Sequence, residues 1–361
     1  MIEPISYSKE WIDSLKKANK GIDPSLCEKM IRALGLSEAL VLNDLDFVFK
    51  GGTSLILLIQ KPERFSIDID INTETSKEKI EEIIKNIMGK GLFKHYIEKK
   101  RQFKGIPKAH YYFYYDSMIN GKETYLMLDV LFGSHSYPKI IDTPIQSHWI
   151  KTRGNAVTVK TPDINSLIGD KLTVFAPNTT GIKYETGKSM EIIKQLFDIG
   201  RLFDHISDLQ TVKMAFRKIA TKELAYRELI LTPEDVLDDI IKTSLIVSKF
   251  PGGGKHDTPE LKELLEGLKR FKSYPIAIKY RADDAILTAS KAAYLATILK
   301  TDESKVNYYS IGQEPESPNL PVKYQNISKL RRRLPEAYYY WYKAIESINP
   351  SPSFIINHLS Y

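Results

Sequence analysis

Along the first two hundred residues the apolar positions switch repeatedly between the helical and the strand period. Residues 24–42 read as a helix and lead into LDFVFKGG (45–52), an apolar run closed by two glycines, as expected of a strand ending in a tight turn. A short buried helix is predicted over 53–60. Residues 66–72 then alternate as S-I-D-I-D-I-N, the period of a strand with one apolar face, which puts Asp68 and Asp70 together on the other face. Ser76 is positioned to open a helix with Glu78 in its first turn and Ile80, Ile83, Ile84 and Ile87 along one side, ending at Gly89. Strands are predicted at 109–116 and 123–132, joined through the polar cluster 117–122. The second of them sets Asp129 inside TYLMLDVLF, whose flanks read as buried on both faces. After a loop over 134–149, NAVTVKTP (155–162) predicts another strand. Asp163 then caps a helix through Phe175, and a further helix covers 189–206.

Beyond residue 208 the strand signals fade. Helical segments follow at 209–229, 233–250, 259–271, 277–299 and 326–348, with PGGGKHDTP as an exposed break between two of them. The expected class is α+β: a mixed sheet flanked by helices over 1–207, and a helical C-terminal domain over 208–361. A chain of 361 residues with 42% hydrophobic content has the size for two such domains.

Composition narrows the function classes. The opening MIEPISYSKEWIDSLKKANK has no apolar core of a leader, and no apolar run approaches a membrane span, so a soluble cytoplasmic protein is expected, with no membrane partner. A single cysteine, Cys27, excludes an internal disulfide and any multi-cysteine zinc site, and speaks against redox chemistry. The net charge of +7 favours an anionic partner, nucleic acid being the commonest. The densest basic run, KYQNISKLRRRLPEAYYYWYK (323–343), could grip phosphates and stack bases. A Tyr-rich packing helix behind a solvated helix end is the favoured reading.

The carboxylates carry the chemistry. Asp68, Asp70 and Asp129 all fall on predicted strands, and carboxylates crowded on a sheet face are costly unless a hard cation neutralises them. Magnesium, with manganese as the alternative ion, takes a few carboxylates and completes its shell with water and phosphate oxygens. A D-x-D pair plus a third aspartate therefore suits a two-metal phosphoryl-transfer site. Gly51 and Gly52, followed by a helix start, offer backbone N–H groups to an anionic phosphate, and Thr53 or Ser54 could add a hydroxyl. An ordinary amphipathic strand with its polar face in water gives the same I-D-I-D-I alternation. It is the combination with the glycines and Asp129 that points to a site.

The order Gly51-Gly52-Thr53, a short helix, Arg64-Phe65-Ser66 and then D-x-D resembles the nucleotidyltransferase AbiEii/AbiGii toxin family of the polymerase-beta-like superfamily. KGGTSL and RFSIDIDI carry the likeness, which covers roughly residues 30–206 and is continued by GDKL (169–172) and IKQLFDI (193–199). The resemblance implies a nucleotidyltransferase-like sheet domain, with metal on Asp68, Asp70 and Asp129 and the triphosphate on Gly52 and Thr53. By the same resemblance Lys171 and Asp198 complete the site. Many relatives have Lys-Asp or Arg-Asp where this chain has Lys194-Gln195, and the helical C-terminal half matches no family motif. Arg64 is a further phosphate candidate beside Ser66. The resemblance also implies a nucleoside triphosphate donor, an RNA acceptor such as the tRNA 3′ end, and a cognate antitoxin. Two rivals share the scaffold: a non-catalytic nucleotide- or nucleic-acid-binding protein, and a kinase-like phosphotransferase.

Other motifs fall away. TGIKYETGKS (180–189) has five residues between Gly181 and Gly187 where a Walker A loop needs four, and no buried strand precedes it. The seven histidines form no His-x-x-x-His pair, and no G-x-S-x-G turn is present.

Overall fold

The computed structural model describes all residues except 60, 100–105, 252–256, 314, 316–319 and 349–361. Two compact units emerge: Met1–Asp163 with Ser273–Lys279, and Ile164–Lys272 with the residues from Tyr280 onward. The units part after Asp163, whereas the sequence draws the boundary after residue 207.

The first unit contains helices α1 (Lys9–Ala18), α2 (Pro24–Val41), α3 (Gly51–Leu58) and α4 (Lys77–Met88). Its strands are β1 (Val48–Lys50), β2 (Ile69–Thr73), β3 (His95–Glu98), β4 (Lys108–Asp116), β5 (Glu123–Phe132), β6 (Ile140–Pro144) and β7 (Thr158–Pro162). Among the described residues these strands form one mixed sheet in the order β3-β4-β5-β2-β1-β7-β6. β2 runs parallel to β5 and β1 to β7, and the other pairings are antiparallel. One face of the sheet is apolar by strict alternation. Phe49, Ile69, Ile71, Tyr111, Phe113, Leu126, Leu128 and Val130 share one core with Ile12, Met30, Ile31, Leu34, Ile80, Ile83 and Ile84 of the helices.

Local chemistry sets the helix boundaries. Asp23 accepts from the Ser25 and Leu26 amides at 2.8 and 3.2 Å ahead of Pro24, and Ser76 accepts from the Lys79 amide, each satisfying an N-terminal donor. Glu28 of α2 anchors the β4–β5 hairpin: it accepts from the Ser117 hydroxyl at 2.6 Å and the Met118 amide at 2.8 Å. Cys27 is fully buried, and desolvation pushes its thiol up to about 12, so it stays protonated at neutral pH.

The structure departs from the expected strands in four places. β6 lies where a loop is expected and β3 in a stretch for which the sequence predicts no element; they are the two edges of the sheet, where burial is partial and the apolar signal weak. β2 begins at Ile69, so Asp68 precedes the strand instead of sharing it with Asp70. The backbone before Asp68 is engaged elsewhere: the Phe65 amide donates to the Tyr274 carbonyl at 2.9 Å, and the Ile276 amide to the Glu63 carbonyl at 2.7 Å. β5 is buried on one face only. Leu126, Leu128 and Val130 are buried there, while Met127, Asp129 and Leu131 are half-buried on the opposite face.

The second unit is helical: α5 (Ile164–Val174), α6 (Ser189–Phe203), α7 (Leu209–Tyr226), α8 (Pro233–Val247), α9 (Pro259–Arg270), α10 (Ala282–Ile298), α11 (Leu330–Arg333) and α12 (Pro335–Ile348). α5 packs on α6 and α7, and α6 on α9 and α10, which is why α5 and α6 group with this unit. The single helix expected over 326–348 is broken at Pro335 and preceded by a 3-10 stretch, Val322–Lys329. Tyr338, Tyr339, Tyr340 and Trp341 are buried, in line with the packing reading of the Tyr-rich run. No described helix is long and apolar enough to cross a membrane.

Candidate active site

Four polar residues line up across the middle of the sheet on the face opposite the apolar core. β1 and β2 set Lys50 beside Asp70; β2 and β5 set Asp70 beside Asp129; β5 and β4 set Asp129 beside His110. Lateral partners in a sheet project to the same side, so a single row reads Lys50, Asp70, Asp129, His110. Two carboxylates thus sit next to each other, flanked by a lysine and a histidine. His110 Nδ1 is hydrogen-bonded to Asp129 Oδ1; a carboxylate only accepts, so the ring presents its hydrogen at Nδ1. The His110 side chain is buried and that of Asp129 is 29% exposed, so one carboxylate of the pair is held by a buried ring while still reaching solvent.

The glycine turn abuts this row. Gly51 has φ +76°, a left-handed conformation, and a Cβ there would lie 2.2 Å from Asp70 Oδ2. At Gly52 a Cβ would meet Arg64 Nη2 at 2.4 Å and Ser66 Oγ at 2.8 Å. Backbone therefore approaches the Asp70 carboxylate and the Arg64 guanidinium where no other residue type fits. Both glycines belong to the first turn of α3, where the sequence places a turn before the helix. The N-cap residue is Lys50, whose side chain cannot accept from the first N–H groups of that helix.

Thr53 is fully buried, and its hydroxyl is bonded to the Ser66 hydroxyl at 2.9 Å and donates to the Asp68 carbonyl. It ties α3 to the segment that carries Asp68. Arg64 is 7% exposed and donates from Nη1 to the Phe65 carbonyl at 2.8 Å, while its backbone bridges to Pro275.

Lys171 and Asp198 belong to the helical unit. Lys171 Nζ lies 2.9 Å from Asp198 Oδ2 and donates to Gln195 Oε1 at 3.0 Å; both charged side chains are almost fully buried. α5 and α6 pack together and bring the pair into contact. Gln195, standing where many relatives of the resembled family have an acid, is thus a partner of the lysine.

A family model described as nucleotidyl transferase AbiEii toxin, type IV TA system, matches residues 35–273. The chain belongs to this family. No curated protein matches it. Among solved structures it is similar to JHP933 from Helicobacter pylori, with a TM-score of 0.43 and 17% identity over 75% of this chain and 89% of that one. It is similar also to a candidate nucleotidyltransferase from H. pylori, with a TM-score of 0.40 and 16% identity over 76% and 92%. The AbiEii match runs well past residue 206, where the motif resemblance stops, and takes in α7, α8 and α9.

In this AbiEii chain the structure brings together Asp70, Asp129, Gly51, Gly52, Arg64, Ser66 and Thr53, with Asp68 attached through its backbone. Among the described residues, no three His, Cys, Asp or Glu side chains are gathered as a metal-holding group. What register supplies is the Asp70–Asp129 pair. Its hard oxygen donors, partial solvent access and a glycine in place of any Cβ suit a divalent cation that takes its remaining ligands from water and phosphate. The sequence reading missed Lys50 and His110. Only cross-strand register reveals them, since His110 stands in no metal-ligand spacing along the chain.

Proposed function

We propose that this AbiEii-family chain is a metal-dependent nucleotidyltransferase toxin acting in the cytoplasm in phage defence. It would move a nucleoside monophosphate from a nucleoside triphosphate to an acceptor hydroxyl on RNA, such as a tRNA 3′ end, and be countered by a cognate antitoxin. The observation that carries this reading is the pairing of Asp70 with Asp129 on adjacent parallel strands where Gly51 leaves no room for a side chain. In the reaction the acceptor oxygen bonds to the α-phosphorus and the bond to the bridging oxygen breaks. Pyrophosphate leaves, and the hydroxyl proton goes to Asp129 or solvent.

Each residue then has a part. Asp70 and Asp129 would hold magnesium or manganese, with Asp68 reaching it from the segment before β2 only on binding; the ion when bound supplies Lewis-acid stabilisation of phosphate oxygens and a more acidic hydroxyl. Gly51, Gly52 and the first turn of α3 offer backbone N–H groups to the triphosphate. Arg64 and Ser66, both packed at Gly52, line the same approach. Thr53, already bonded to Ser66 and the Asp68 carbonyl, positions that segment. His110 orients Asp129. Lys171, held by Asp198 and Gln195 within the helical unit, has the role in the reaction that the family resemblance implies for it.

Incubation with total RNA and either α- or γ-labelled triphosphates tests the reading. The expected outcome is RNA carrying α-label, lost in Asp70→Ala. Label from the γ-position alone would establish the kinase-like chemistry instead. No label from either, with wild type and Asp70→Ala equally toxic in cells, would leave the binding-only reading.

A further inference from the structure

The face that carries the carboxylate row continues as an aromatic surface. Register sets His95 of β3 beside Tyr114 of β4, and Tyr114 beside Tyr125 of β5. The next rung is Ile97, Tyr112 and Met127, and the one after it holds His110 and Asp129. Alternate residues along a strand share a face at a spacing of ~6.8 Å, so two apolar rungs lead step by step to the carboxylates. The rings are in mutual contact. His95 and Tyr114 stack at 4.5 Å and 10°, Tyr112 and Tyr125 approach to 4.7 Å, and the Lys99 ammonium lies 5.4 Å from the centre of the Tyr112 ring.

Cross-strand aromatic pairs stabilise a sheet by covering one another, yet these do not finish the task. Tyr125 remains 43% exposed, Ile97 44%, and His95 and Lys99 are exposed as well. The apolar surface left in water is flat, pre-ordered by stacking and accompanied by a cation. Its strands run on, on the same face, to the residues proposed to meet the α-phosphate, through a rung in which Tyr112 is buried. Nucleobases meet that description: every base has an apolar face, every linkage an anion, and an extended strand repeats on the scale of the rungs. At the far end Lys94 is bonded to Asp116 at 3.0 Å and lies 3.5 Å from Glu123. With Lys94 between them these two carboxylates leave one net negative charge, which disfavours phosphate beyond the Tyr114–Tyr125 rung.

We propose that the surface formed by His95, Tyr114 and Tyr125, with Tyr112 buried as its support, is a stacking platform for the single-stranded end of the nucleic-acid acceptor, delivering its terminal hydroxyl to the Asp70–Asp129 pair. The proposal rests on the nucleotidyltransferase reading for its acceptor, and its own readout is binding. A fluorescein-labelled hexaribonucleotide and a blunt RNA duplex are titrated by anisotropy against wild type, the double variant His95→Ala/Tyr125→Ala, and Tyr125→Phe. The double variant should bind the single strand about tenfold more weakly. Tyr125→Phe should bind it normally, and duplex binding should be unchanged, because paired bases are already stacked. The double variant should raise the KM for the RNA acceptor and leave that for the triphosphate unaltered. Equal single-strand binding by wild type and a double variant that melts like wild type would overturn the platform while leaving nucleotidyl transfer intact. Wild type that transfers no label, together with a double variant that loses single-strand binding, would overturn the transferase reading and leave the platform standing.

Discussion

The two charged centres of this chain handle their charge in opposite ways. In the sheet unit Asp70 and Asp129 stand side by side as like charges on a face that still reaches water, with Asp129 29% exposed. In the helical unit Lys171 and Asp198 are opposite charges 2.9 Å apart, with side chains 6% and 2% exposed. The buried pair is held further by Gln195, which accepts from Lys171 at 3.0 Å. The sheet pair sets two carboxylates next to each other between Lys50 and His110, a like-charge contact that a bound cation would relieve on the proposed reading. On the proposed reading the like-charged pair is where a cation binds, and the opposite-charged pair fixes α5 against α6.

The largest expected effects test that contrast directly. Asp70→Asn should lower nucleotidyl transfer by ~10³-fold or more, since several kcal/mol of charge stabilisation depends on the metal carboxylates, and should leave the urea midpoint unchanged or raised. Asp198→Ala should do the reverse first: an uncompensated Lys171 in a buried setting costs ~3–5 kcal/mol, read as a lower midpoint in urea. Loss of stability in Asp70→Asn comparable to that in Asp198→Ala would erase the distinction. Next, Gly51→Ala introduces a Cβ 2.2 Å from Asp70 Oδ2 on a backbone at φ +76°. The left-handed conformation alone costs ~1–2 kcal/mol, so a lower melting temperature with transfer reduced beyond what unfolding explains is expected. The smallest effect belongs to His110→Gln, which removes a partner of Asp129. An approximately 10- to 100-fold drop in metal affinity or rate, with little change in melting, would place the histidine among the positioning residues.

Much of the sheet unit was legible because its signals are local. The D-x-D alternation, the paired glycines and Asp129 in an apolar strand each lie within a few residues of chain, and Ser76 and Gly89 bracket α4 as its capping pattern predicts. The misses are non-local. β3 and β6 are edges whose identity comes from the neighbour they pair with, and β6 carries Asp142 and Pro144, residues that weaken a strand signal. His110 and Lys50 join the carboxylates through register, which no single segment encodes. Asp68 was placed on the strand by alternation, but the hydrogen bonds of residues 63 and 65 go to a partner that follows in the chain by some two hundred positions.

That distant partner also governs timing. The sheet unit borrows Ser273–Lys279, made only after more than one hundred residues of the helical unit have been synthesised. At ~5–20 residues per second, a ribosome that has finished β7 needs on the order of 5–20 seconds before the segment beside Arg64 exists. Until then residues 63–65 lack the backbone partners that hold the approach to Asp68. A nascent or prematurely terminated chain therefore carries Asp68, Asp70 and Asp129 without the backbone partners of residues 63–65 that precede them.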